Sequence, residues 1–143
     1  MEKGIDAYIK GQFGLGAVDI RTYSPLALAY IGDGIYELVI RSIVVGKGNT
    51  KTVQLHKRTS RLVKAAAQSA MMEQLKPVLT PEEEDIYRRG RNAKSPTMAK
   101  NATMMDYRRA TGFEALMGYL YLTDQFERLV ELVKIALEDT YEI

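Results

Sequence analysis

Apolar side chains crowd positions 26–45 so densely that they leave no polar face: Leu28, Ile31, Ile35, Leu38, Val39 and Ile43 fall all round a helix. The pattern predicts a central helix enclosed by its neighbours. Ser24 and Pro25 mark its start, the serine as acceptor for orphan amides and the proline at the first helical position, and Gly46 and Gly48 stop it. Asn49 or Thr50 then offers a cap for a second long helix, predicted to run to about Lys76, where Pro77 prevents continuation. Its apolar stripe takes Leu55, Leu62, Ala66, Ala70 and Leu75, with Lys57, Arg61 and Lys64 on another face. Thr80-Pro81-Glu82-Glu83 is a capping box with a first-turn proline, opening a helix that should end near Gly90. From Arg91 to Thr103 helical periodicity is lost, and the Asn, Lys, Ser, Pro and Thr there predict a basic loop. A helix resumes through Thr111 to Leu122. Asp124 with Glu127 reads as another capping box, and Phe126, Leu129, Val130, Val133 and Leu137 recur at helical spacing to the end. No stretch reads as a strand. The expected fold is an all-α bundle of roughly five to seven helices.

Length and composition narrow this further. At 143 residues with 46% apolar content, the chain is expected to form a single domain, 1–143. The longest apolar region is interrupted by Asp33, Glu37 and Arg41, and the first twenty residues carry scattered charges. Neither a membrane span nor a secretory leader is expected, so a cytoplasmic location is. With no cysteine and one histidine, disulfides, thiolate metal sites and a Ser-His-Asp triad drop out, and any chemistry must rest on carboxylates. The net charge of +2 conceals a strong segregation. Between Lys47 and Lys64 there are six cations and no acid; between Arg88 and Arg109 there are seven cations against Asp106 alone. A folded surface built from these windows has a basic side able to meet a polyanion, unless they are simply two solvated faces.

Two acids sit where acids are costly. Asp33 lies inside the central apolar helix between Gly32 and Gly34, a triplet that clears space for another helix, an ion or a phosphate. Alternatively the glycines serve helix packing and Asp33 bonds a nearby cation. Glu114 repeats the anomaly among the small and apolar residues of Thr111-Gly112-Phe113-Glu114-Ala115-Leu116. Mg²⁺ needs only one or two protein carboxylates, so two converging acids suffice. Glu37, four residues after Asp33, either supports such a site or forms an ordinary pair with Arg41.

The segment Leu28-Ala29-Tyr30-Ile31-Gly32-Asp33-Gly34-Ile35-Tyr36-Glu37-Leu38 resembles the signature helix of the ribonuclease III family, Leu-Gly-Asp-Ala-Val-Leu-Glu at its core. Arg89-Gly90-Arg91-Asn92-Ala93-Lys94-Ser95, followed by Tyr107 to Leu122, is similar to the compact branch called mini-ribonuclease III. The resemblance spans nearly the whole chain and includes no separate double-stranded-RNA-binding domain. It implies an all-helical endonuclease that forms homodimers, uses Mg²⁺ or Mn²⁺ and hydrolyses duplex RNA; for the compact branch it implies maturation of 23S ribosomal RNA. Asp33 falls on the family's catalytic aspartate and Glu114 on its metal-binding glutamate. Ala29 and Thr111 stand where the larger enzymes have two further acids.

The resulting expectation is a metal held by Asp33 and Glu114 that activates water against a phosphate and leaves 5′-phosphate products. Arg91, Asn92 and Lys94 on the loop, and His56, Lys57 and Arg61 on the basic helix, are candidate contacts to the RNA backbone. A ribosomal protein is a further candidate partner. Two other classes compete: a catalytically silent RNA- or ribosome-binding relative, and a helical protein-interaction module.

Overall fold

A computed structural model of the chain describes residues 4–94 and 103–138. Among them lie seven α-helices and no strand: α1 Ile5–Gln12, α2 Pro25–Gly46, α3 Thr52–Val63, α4 Ala65–Leu75, α5 Pro81–Asn92, α6 Met104–Leu122 and α7 Phe126–Glu138. α6 is the axis, with α2, α4, α5 and α7 all packed on it. Its Phe113, Leu116, Met117 and Leu120 are wholly buried, so the central helix is α6 and not α2, whose apolar Tyr30, Leu38 and Val45 are exposed.

Glycines let the helices reach α6 at backbone distance. A Cβ on Gly32 would lie 1.7 Å from the Glu114 carbonyl oxygen, and one on Gly118 would lie 1.9 Å from that of Leu28. On the other side, Gly112 leaves room for Tyr87 of α5 and Gly90 for Ala115 of α6. Any side chain at these positions would force the helices apart.

Local caps act as read. Ser24 Oγ accepts from the Ala27 amide at 3.1 Å, and Thr80 with Glu83 forms the complete capping box of α5. Other expectations need correction. The second long helix is two, α3 and α4, bent apart at Lys64 with ψ 155°. No proline or glycine causes the break. α3 packs on α2 and α4 on α6 and α7, and the freed carbonyls of the last turn of α3 find side-chain partners: Tyr36 Oη of α2 donates to the Leu62 carbonyl at 2.7 Å and Gln68 Nε2 of α4 to that of Val63 at 2.9 Å. α3 begins after Lys51, with no side-chain cap, so neither Asn49 nor Thr50 serves.

α6 starts at Met104, well before Thr111, because Thr103 caps it by accepting from the Asp106 amide. Its first turns stand outside the core, so they carry little periodicity. Arg91 and Asn92 belong to α5, two residues past Gly90, and positions 95–102 of the expected loop lie outside the described residues. Asp124 is not an N-cap. Its φ of 58° is left-handed, and the Asp124 and Gln125 amides donate to the Tyr121 and Leu120 carbonyls, the closing motif of α6. α1, which buries no residue, had no expectation attached. Among the described residues no helix is long and apolar enough to cross a membrane.

Candidate active site

The glycine contact between α2 and α6 brings the two anomalous acids together. Gly32 rests on the Glu114 backbone, so Asp33, the next residue, is carried to the mouth of the crossing beside the Glu114 carboxyl. The Asp33 charge lies close enough to the Glu114 carboxyl to disfavour its ionisation. Glu114 is half-buried, but Asp33 is exposed, and Gly34 has nothing within 4 Å. The expected buried Asp33 is therefore a rim residue: only the first glycine of the triplet makes a close contact, and the outer face of α2 stays open.

This asymmetry sets the electrostatics. Burial, and then the neighbouring Asp33 charge, push the Glu114 carboxyl up to about 8, against a smaller opposing effect of the Gln68 amide. At neutral pH the pair thus holds a proton in the absence of a cation. Gln68 Nε2 donates to Glu114 Oε2 at 3.3 Å while also holding the Val63 carbonyl. Sequence reasoning missed this residue. Its one signal was a polar amide inside the small and apolar run Ala65-Ala66-Ala67-Gln68.

The donor set fits a hard divalent cation. Two carboxylates that repel each other, one open to solvent, are the chemistry that such an ion relieves, and Mg²⁺ commonly keeps several waters beside one or two acids. Neither position that lacks a family acid can add a carboxylate. Ala29 is buried, and the buried Thr111 spends its hydroxyl on the Tyr107 carbonyl at 3.0 Å. Among the described residues no group of three or more Asp, Glu, His or Cys could hold a metal. Glu37 pairs with Arg41 at 3.0 Å, the ordinary alternative left open by the sequence.

The expected RNA-facing residues fall into two groups. His56, Lys57 and Arg61 are exposed on α3. Arg91 and Asn92, at the end of α5, share a cavity with Lys76, Arg108 and Arg109, and exposed Lys94 follows them. The Arg91 guanidinium lies over the Tyr87 ring, 5.7 Å from its centroid, and Glu73 partly neutralises Lys76 and Arg109. Lys76 was not anticipated, since only folding brings the end of α4 to this basic cluster.

The ribonuclease III domain family matches residues 26–125, a span containing both acids and both crossings. The chain is 50% identical to a mini-ribonuclease 3 of Enterococcus faecalis over 87% of its own length and 96% of that protein. It is 43% identical to one of Thermoanaerobacter sp. over 96% and 97%, respectively. A crystal structure of a Fusobacterium nucleatum protein superposes with a TM-score of 0.78 at 33% identity, covering 85% of this chain and 99% of that one. With a matching family model, relatives aligned nearly end to end and a shared all-helical fold, the chain belongs to the ribonuclease III family, in its mini-ribonuclease branch, and is an endoribonuclease.

Proposed function

We propose that the protein is a divalent-metal-dependent endonuclease of double-stranded RNA, that it acts as a homodimer on a precursor of 23S ribosomal RNA in the cytoplasm, and that Asp33 and Glu114 are its metal-binding catalytic pair. The observation that carries the reading is the meeting of these acids from two helices, where burial and then the Asp33 charge push the Glu114 carboxyl up to about 8. Mg²⁺, or Mn²⁺ in its place, supplies activation of a water and neutralisation of charge at the scissile phosphate when bound. Asp33 offers an exposed carboxylate on the solvent side, and Glu114, held by Gln68, gives up its proton to complete the pair. Arg91, Asn92 and Lys94 on one side and His56, Lys57 and Arg61 on α3 hold the RNA phosphates; water would add to the scissile phosphorus and the 3′ oxygen would leave, so the products would carry 5′ phosphates and 3′ hydroxyls. Dimer formation has support in α2, whose outer face exposes Tyr30, Leu38 and Val45 beside Gly34. The 23S precursor follows from the family resemblance, and a ribosomal protein is a further candidate partner.

The test is cleavage of a duplex taken from a 23S precursor, with Mg²⁺, with EDTA and with the Asp33→Asn variant. Cutting that requires both the metal and Asp33 is the expected result. Binding without cutting by the native protein would make it a silent RNA-binding relative, and cutting that survives EDTA or Asp33→Asn would remove the proposed pair from the chemistry.

A further inference from the structure

Gln68 is only 1% exposed, and its amide must replace its lost hydration with hydrogen bonds to be tolerated there. The nitrogen does so twice, toward the Val63 carbonyl at 2.9 Å and the Glu114 carboxyl at 3.3 Å. These two acceptors fix the amide's orientation, because a flipped group would set its oxygen against both of them. The consequence is an Oε1 that is buried and has no hydrogen-bond partner. Such orphaned acceptors are exceptions in folded proteins, and this one belongs to a side chain already tied to a proposed metal ligand.

The missing family acids give that oxygen a role. With Ala29 and Thr111 unable to ligate, more of the coordination shell of an ion at Asp33 and Glu114 must be water, and those waters need acceptors. An amide oxygen provides one without adding a third negative charge beside the two acids. We propose that Gln68 is a positioning residue of the ion site: its Nε2 holds the Glu114 carboxylate, and its Oε1 accepts a hydrogen bond from the hydration shell of the divalent ion. This rests on the reading that Asp33 and Glu114 hold an ion.

Calorimetric titration of the RNA-free protein with Mn²⁺ tests it, comparing the native chain with Gln68→Leu, Gln68→Met and Asp33→Asn. Folded Gln68 variants should bind Mn²⁺ about tenfold more weakly or worse, the usual effect of losing a group that orients a metal ligand. Native affinity in either folded variant overturns the role of Gln68. Native affinity in Asp33→Asn overturns the ion site itself, so the two failures are distinct. If neither Gln68 variant folds, the native protein decides: the side-chain amide resonances of Gln68 should follow Mg²⁺ with the half-saturation seen by calorimetry, and resonances that do not move refute the inference.

Discussion

A methyl group added at Gly32 would sit 1.7 Å from the Glu114 carbonyl oxygen, whereas one added at Gly34 would meet nothing within 4 Å. Gly32→Ala should therefore prise α2 from α6 and cost several kcal/mol, on the order of the larger core-overpacking penalties. Gly34→Ala should raise helix stability by up to about 1 kcal/mol, and thermal unfolding of the two variants will show the opposite signs. Glu114 makes a second prediction. The folded protein keeps a proton that the unfolded chain, with an ordinary value of 4.5, has already released, so the extra stability is complete below pH 4.5 and is lost as pH rises through about 8. In EDTA, urea midpoints should fall between pH 5.5 and 8.5 by more in the native protein than in Glu114→Gln, and Mg²⁺ should diminish that difference. The meeting of Asp33 and Glu114 was legible because a carboxylate in an apolar helical run is an anomaly that asks for a partner. Exposure was not legible: one-dimensional spacing does not reveal which side of α2 lacks a neighbour. Gln68 escaped notice because an uncharged amide raises no comparable alarm.

At the scale of the helix, what could be read depended on how far away its ends are satisfied. Ser24 and Thr80 cap within three residues, so α2 and α5 were visible as patterns. The break between α3 and α4 was invisible because the Leu62 carbonyl is taken by Tyr36, 26 residues earlier in the chain. The two predicted long helices thus differ in kind: one is continuous by sequence, the other divided by tertiary contacts. A distant tie also holds α7 to α5. Arg128 bonds Glu83, which is only 4% exposed, through two nitrogens at 2.9 Å, and reaches the Val78 carbonyl at 2.9 Å. Burial pushes the Glu83 carboxyl up, but the bonds from Arg128 and the Thr80 amide outweigh it and hold the group below the usual range. Arg128→Ala leaves that charge enclosed without its cation. Chemical denaturation should register a loss of about 3 kcal/mol, with less lost in the double variant Arg128→Met, Glu83→Gln.

Over the whole molecule, the basic windows of the sequence resolve into two surfaces, α3 and the cavity at the ends of α4 and α5. Their separation along the chain was legible, but the recruitment of Lys76 and its partial neutralisation by Glu73 were not, since both depend on helix packing. The exposed stripe of Tyr30, Leu38 and Val45 gives a prediction at this scale. Leu38→Glu should shift the sedimenting species from dimer to monomer with the helical content unchanged, because a charge enters the apolar face proposed for the second copy. A native protein that sediments as a monomer would remove that interface. The close crossings on α6 carry a last implication. Side chains can repack to let helices slide or tilt, but the Glu114 and Leu28 carbonyls meet bare glycine backbone, leaving no compressible layer between α2 and α6. The distance between the two backbone segments that carry the acids is consequently fixed as rigidly as a jig holds its workpiece. A different spacing would require exchange of the acids or of the glycines themselves, because the frame offers no gradual adjustment.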